Sequence, residues 1–208
     1  MRKILLIVNP NAGRLYSKIN EKDIAGWLSA GGERPEVMCT GAAGDATRFV
    51  KQLGSEFDIV VCCGGDGTLN EVVSGVMTLD KKPVIGYIPA GTTNDFATSI
   101  NLPKDVQLAA KRVLEGTPKK FDVGKFNDSR YFTYVASFGA FTESSYEAPR
   151  SLKKVLGHLA YLLEGIKDIG NIHPCHVTIT VDGTVEEGDY LFGAISNSTS
   201  IGGVVKLD

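Results

Sequence analysis

The feature that most constrains the fold is residues 57–79, FDIVVCCGGDGTLNEVVSGVMTL. Residues 59–63 form an uninterrupted apolar run, as expected of a strand buried on both faces. Gly64, Gly65 and Gly67 then surround a single carboxylate, Asp66. Thr68, with Glu71 three residues later, has the pattern of a capping box, so a helix is predicted to start there. Leu69, Val72, Val73, Val76 and Met77 recur at the spacing of one apolar helix face. Strand, glycine turn and helix in this order predict an α/β unit whose turn lets a ligand approach the main chain. The free N–H groups and positive dipole end of such a helix favour an anion, phosphate above all. The same turn also serves tight packing in many α/β domains, so the glycines alone leave both uses open. The chain contains neither Gly-x-x-x-x-Gly-Lys-Ser/Thr nor Gly-x-Gly-x-x-Gly, which sets aside a Walker A loop and the dinucleotide fingerprint.

Three further apolar runs lead into similar turns. Residues 4–8 end in Asn9, Pro10, Asn11, Ala12 and Gly13. A helix is expected over residues 20–30, stopped by Gly31 and Gly32. Residues 37–40 are a short strand ending at Thr40, and Asp45 is the expected N-cap of the next helix. Residues 84–88 lead into Ala90, Gly91, Thr92, Thr93, Asn94, Asp95 and Phe96, where Thr92 or Thr93 is the expected cap. Pro103 interrupts the chain, and residues 106–115 form the last helix of this series. Four strands alternating with helices over residues 1–118 predict a doubly wound, Rossmann-like parallel sheet. All the candidate loops follow strands, so they gather at one sheet edge, where open α/β sheets bind ligands.

The pattern changes after Pro118. Residues 121–126 and 130–138 read as a hairpin rich in aromatics, including Phe126, Tyr131, Phe132, Tyr134 and Phe138, with Phe141 beyond them. These side chains either fill the core of a β-rich domain or line a groove for acyl chains. Residues 152–169 are an amphipathic helix carrying Lys153, Lys154 and Lys167, suited to core packing or to an anionic membrane surface. Residues 176–181 and 190–197, joined through Asp182, Gly183 and Thr184, read as a second hairpin. The expected organisation is therefore α/β: a nucleotide-binding domain over 1–118, then part of a β-rich antiparallel sandwich over 119–208.

Composition narrows the partners. The net charge of −2 gives no footprint for nucleic acid. No apolar run reaches the length of a membrane span, and the start, MRKILLIVNPNAG, turns polar too early for a signal peptide. The expected location is the cytoplasm, with transient membrane contact. Cys39, Cys62, Cys63 and Cys175 are expected to be small buried hydrophobes, Cys62 and Cys63 on opposite strand faces. No Cys/His spacing suggests zinc, and His158, His173 and His176 show no catalytic partner at telling spacing.

The string GGDGTLNEVVSG resembles the nucleotide-binding loop of the diacylglycerol kinase catalytic-domain family, and more distantly those of NAD kinases and phosphofructokinases. The resemblance extends to Asn9–Pro10–Asn11–Ala12–Gly13, to Thr40, to the GTTNDF loop and to residues 193–207. It implies an ATP-dependent lipid kinase that uses Mg2+ and acts on a diacylglycerol-like lipid. It implies a nucleotide site at Asn9, Pro10, Asn11, Ala12, Gly13, Thr40, Gly65, Asp66, Gly67, Thr68, Leu69, Asn70, Glu71 and Thr92. Asp66 would organise the loop or hold magnesium, and Glu71 would cap a helix or serve as a ligand. In that family an Asp-Asp-Gly-type motif for a structural magnesium, and later a general base, follow the point matching Asp208. Neither lies within residues 1–208, so the resemblance implies a truncated chain that is itself inactive, with unpaired strand edges that favour self-association. Two other classes share the loop: a kinase of a soluble acceptor, NAD kinase-like, and a non-catalytic nucleotide-binding module.

Overall fold

A computed structural model describes residues 1–13, 19–127, 130–139, 173–197, 200–201 and 205–206. Two compact units divide the chain: Met1–Tyr134 with Asn197–Asp208, and Val135–Ser196. Residues 1–118, expected as one domain, lie inside the first unit, which runs on through the next two strands.

Four parallel strands organise the first unit: β1 (Ile4–Val8), β2 (Glu36–Cys39), β3 (Ile59–Gly64) and β4 (Val84–Pro89), in the order β2-β1-β3-β4. Every residue of β1 and β3 is buried. Side chains alternate along a strand, so such strands need apolar cover on both faces. Ile4, Leu6, Val8, Val61 and Cys63 pack with Ile24 and Leu28 of α1 (Glu21–Leu28) and Val106, Ala109 and Ala110 of α5 (Val106–Glu115). Leu5, Ile7, Val60 and Cys62 pack on the other face with Phe49 and Val50 of α2 (Asp45–Leu53) and Leu69, Val72 and Val76 of α3 (Asp66–Val76). Cys62 and Cys63 do point to opposite faces, and burial pushes both thiols up, Cys63 to about 12. Cys39 and Cys175 differ from expectation: both are exposed.

Helix α1 begins at Asn20, whose side chain accepts from Lys22 and Asp23 N–H while the Asp23 carboxylate accepts from Asn20 N–H, a complete capping box. Asp105 caps α5 through Leu108 N–H at 2.8 Å. A short helix, α4 (Asp95–Ser99), follows the loop after β4.

Strands β5 (Gly124–Phe126) and β6 (Arg130–Phe132) pair as an antiparallel hairpin within the first unit. The second unit holds β7 (Val135–Gly139), β8 (Cys175–Val181), β9 (Thr184–Tyr190) and β10 (Phe192–Ser196). Here the pairing corrects the expectation that residues 176–181 and 190–197 form a hairpin. The partner of β8 is β9, and β10 pairs with β7. Strand β9 was obscured by Glu186, Glu187 and Asp189, residue types depleted in strands. Asp182 and Gly183 both have positive φ, 48° and 83°, which closes a two-residue turn matched to strand twist. Two-residue strands β11 (Ser200–Ile201) and β12 (Val205–Lys206) also pair antiparallel. The helix expected over 152–169, and Phe141, lie outside the described residues.

Candidate nucleotide site at the carboxyl edge of the sheet

In the order β2-β1-β3-β4 the connections from β1 and β3 lead away in opposite directions, and it is at the carboxyl edge of such a switch point that open α/β sheets form their ligand crevice. The chain after β1 and the chain after β3 are tied together there. Asn9 N–H donates to Cys63 C=O at 2.9 Å, and Asn9 Nδ2 donates to Thr68 Oγ1 at 2.9 Å. Asn9 Oδ1 accepts from Asn11 N–H at 3.0 Å, closing the Asn9–Gly13 turn on itself. On the neighbouring strand Thr40 N–H donates to Val8 C=O at 2.9 Å, and Thr40 is buried at the same edge.

The walls meet at backbone contact. Gly13 has φ +62°, and a Cβ there would stand 2.3 Å from Ala90 C=O. A Cβ on Gly91 would stand 2.6 Å from the Gly65 Cα. These glycines bring the loops after β1, β3 and β4 together at distances closed to any side chain.

Helix α3 begins at Asp66 with Gly65 as N-cap and no side-chain cap, two residues earlier than the expected start at Thr68. Its first intrahelical bond is Leu69 N–H to Gly65 C=O at 3.0 Å. The N–H groups of Asp66, Gly67 and Thr68 therefore have no acceptor inside the helix. The expected capping box does not form, because Thr68 and Glu71 are engaged elsewhere. The Thr68 hydroxyl is held by Asn9, and the Glu71 carboxylate accepts from Gly44 N–H at 2.9 Å and Ala46 N–H at 3.2 Å, capping α2 instead.

Asp66 organises the second loop. Its two oxygens accept from Asp95 N–H at 3.1 Å and Phe96 N–H at 3.2 Å, the first amides of α4. Neither Thr92 nor Thr93 caps that helix; its N-cap is Asn94, in the left-handed region at φ 53°. Asn94 Oδ1 accepts from Gly91 N–H at 2.9 Å and from the Tyr87 hydroxyl at 3.3 Å, and its Nδ2 donates to Gly91 C=O at 2.8 Å. Burial, with Asp66 nearby, pushes the Tyr87 hydroxyl well above its ordinary value, so it remains a donor. Asp45 is the first residue of α2 rather than its cap. Its carboxylate accepts from Gly41 and Ala42 N–H, each at 2.9 Å, and pairs with Arg48 at 2.7 Å. Arg48 foremost, then those two amides, holds the carboxyl at about 2.

Of the predicted site residues, Asn9, Pro10, Asn11, Ala12, Gly13, Thr40, Gly65 and Thr92 lie on the loops at this edge, and Asp66, Gly67 and Thr68 form the first turn of α3. The other three have structural partners. Leu69 is 2% exposed in the core, and its N–H belongs to the helix. Asn70 accepts from Thr133, and Glu71 caps α2. Sequence reasoning missed Tyr87 and Thr133, and marked Asn94 only as part of the GTTNDF loop. Only Asn94 carried a signal, since Asn tolerates positive φ better than other residues with a Cβ. Among the described residues no group of three or more His, Cys, Asp or Glu side chains converges on a metal position.

A parallel sheet with glycine-bearing loops after β1, β3 and β4 at its carboxyl edge defines an α/β domain of the open, ligand-binding type. The diacylglycerol kinase catalytic domain model matches residues 3–126, and the chain belongs to that family. It is 37% identical to a diacylglycerol kinase of Bacillus subtilis (strain 168), a match covering 100% of this chain and 69% of that protein. It is 36% identical to a diacylglycerol kinase of Staphylococcus carnosus (strain TM300), covering 99% and 67%. A crystal structure of a diacylglycerol kinase from Bacillus anthracis (strain Sterne) superimposes with a TM-score of 0.75 at 29% identity, covering 97% of this chain and 66% of that one. A second structure from the same organism, a candidate diacylglycerol kinase, gives a TM-score of 0.80 at 32% identity, covering 98% and 69%. The chain is thus a member of a kinase family. The matches run along its whole length and lend no support to the expected inactivity of residues 1–208. Among the described residues no helix is long and apolar enough to cross a membrane.

Proposed function

We propose that the protein transfers the γ-phosphoryl group of ATP to a hydroxyl of a diacylglycerol-like lipid. The observation that carries this reading is the start of α3, where the N–H groups from Asp66 to Thr68 lack helical acceptors beside two backbone-tight loops. Such a site suits phosphate, and phosphoryl transfer depends mainly on positioning and charge stabilisation. The main chain of Gly65, Asp66, Gly67 and Thr68 would hold the phosphates. Asn9, Pro10, Asn11, Ala12 and Gly13 with Thr40 and Thr92 would complete the nucleotide cleft. Asp66 serves by fixing the loop after β4, because both its oxygens already accept amides. Magnesium fits as an ion carried on the ATP phosphates, which needs few protein carboxylates and supplies charge neutralisation when bound. The described residues build no cage of their own for it.

The lipid side rests on family membership and on exposed aromatic and basic residues in and just before the β5–β6 hairpin. Phe121 and Phe126 are 51% and 49% exposed, and Lys119, Lys120, Lys125 and Arg130 beside them are also exposed. Aromatic and basic residues together suit transient contact with an anionic bilayer. The test is label transfer from γ-labelled ATP to diacylglycerol in mixed vesicles, with calorimetric ATP binding measured alongside. Lipid labelling that requires the vesicle is the expected result. Equal labelling of a water-soluble acceptor would favour the soluble-acceptor class, and ATP binding without transfer to either would favour a binding module.

A further inference from the structure

Asn70 sits on the first turns of α3, yet its side-chain oxygen is committed to Thr133. Its Oδ1 accepts from Thr133 N–H at 3.2 Å and from the Thr133 hydroxyl at 2.9 Å. A main-chain N–H can only donate, so the amide oxygen, not the nitrogen, faces Thr133. Thr133 is 3% exposed, one of few buried polar residues among those described. Asn197 meets the same point from the other direction. Its side chain donates to Thr133 C=O at 3.4 Å and to Asp122 C=O, and its N–H donates to Tyr134 C=O at 2.8 Å. The chain leaves the first unit after Tyr134 and re-enters it at Asn197. Both crossings are therefore pinned to one cluster, and that cluster hangs on a side chain of the glycine-loop helix.

We propose that Asn70 is a positioning residue that fixes the two chain crossings against α3, so that its loss impairs use of the lipid acceptor while ATP binding stays intact. This rests on the proposed function in one respect, that the residues between the crossings serve the acceptor. Thr133 offers two buried donors to one oxygen, and a buried donor without an acceptor is costly. Without that oxygen the crossings gain freedom, and acceptor orientation is what such freedom degrades.

The experiment compares the full chain with Asn70→Ala, Asn70→Asp and Thr133→Val. Asn70→Ala orphans both Thr133 donors and should lower kcat/KM for the lipid by at least about tenfold, the scale of a single orphaned buried donor, with the ATP Kd changed less than twofold. Asn70→Asp keeps the oxygen and should restore lipid kcat/KM with ATP affinity unchanged. Thr133→Val removes the hydroxyl but keeps the N–H donor, so it should show a smaller lipid defect of the same kind, and combining it with Asn70→Ala should add little, since the two act on one contact. A nucleotide contact predicts the opposite, because a new negative charge beside phosphate would make Asn70→Asp bind ATP worse than Asn70→Ala. That result overturns the proposal and leaves the proposed function standing. Should the wild type transfer no phosphoryl group, the proposed function fails and hydrogen exchange decides this inference. Asn70→Ala should then speed exchange at Thr133 and Asn197 by at least tenfold while β3 is unchanged, and equal exchange overturns it.

Discussion

Strand β3 at the centre of the first unit and strand β8 in the second differ by one residue in length, yet they face opposite surroundings. All six residues of β3 are buried, whereas β8 buries none and alternates only between exposed and half-exposed positions. Its partner β9 carries Glu186, Glu187 and Asp189, and nearby Val181, Val185, Leu191 and Ile195 are 56–65% exposed. In β3 the register is set by burial, since a one-residue slip would exchange the side chains serving the two helix layers. In β8–β9 it is set by the turn at Asp182–Gly183 and by cross-strand polar pairs. His176 lies between Asp189 at 2.8 Å and Glu187 at 2.9 Å, all three exposed. Binding loops need a frame of the first kind, because backbone walls at contact distance hold only if the strands behind them do not move.

The widest gap between the two regions is in core energetics. Leu6→Ala in β1, at 0% exposure, should cost about 2–5 kcal/mol. Ile195→Ala in β10, at 65% exposure, should stay within about 0.5 kcal/mol. Urea unfolding of both variants checks this, and similar losses would mean that the second unit has a core of its own at Ile195. Asp66→Ala comes next. It orphans the Asp95 and Phe96 amides and frees the loop after β4, so phosphoryl transfer should fall by about a hundredfold, the scale of a lost positioning element. The lost cap should cost stability only about 0.5–2 kcal/mol. Unfolding and label transfer on one preparation separate the two. Smaller again is Gly91→Ala, whose Cβ meets the Gly65 Cα and so forces the walls apart. ATP binding by calorimetry should weaken about tenfold, as expected when close backbone approach is blocked, while Thr92→Ala on the exposed face of the same loop should do less.

The contrast also explains what the sequence made legible. Strands β1 and β3 were readable because double-sided burial writes continuous apolar runs, β4 because its apolar run is bounded by Pro83 and Pro89, and α5 as the helix that follows the break at Pro103. The loops of the site were legible as places, since glycine and turn residues mark strand ends. Their internal wiring was not. Thr68 and Glu71 satisfy a capping pattern locally, but Asn9 and the start of α2 offer each a better partner far along the chain. Asn70 and Thr133 are 63 residues apart, and no local pattern joins them. Strand β9 was hidden because its polar residues reflect exposure, and strand propensity scales describe half-buried positions.

The smallest effect separates the two regions by pH. In the first unit Asp45 is held at about 2, below its ordinary 3.8, by Arg48 first and then by the Gly41 and Ala42 amides. Its stabilisation is complete above the unfolded value and disappears as pH falls from 3.8 through about 2. In the second unit His176 is raised above its ordinary 6.5 by Glu187 and then Asp189. Its stabilisation is complete below 6.5 and is lost as pH rises through the higher folded value. Asp45→Asn should therefore flatten only the acid limb of a melting-temperature profile, and His176→Gln only the limb above neutral pH. His176 is exposed and Asp45 half-buried, so moderate salt should shrink the His176 effect more than the Asp45 effect. Hydrogen exchange read separately in β3 and β8 assigns each limb to its unit. If His176→Gln alters protection in β3 at neutral pH, the two regions do not unfold independently, and the division between a burial-fixed sheet and a turn-fixed hairpin fails.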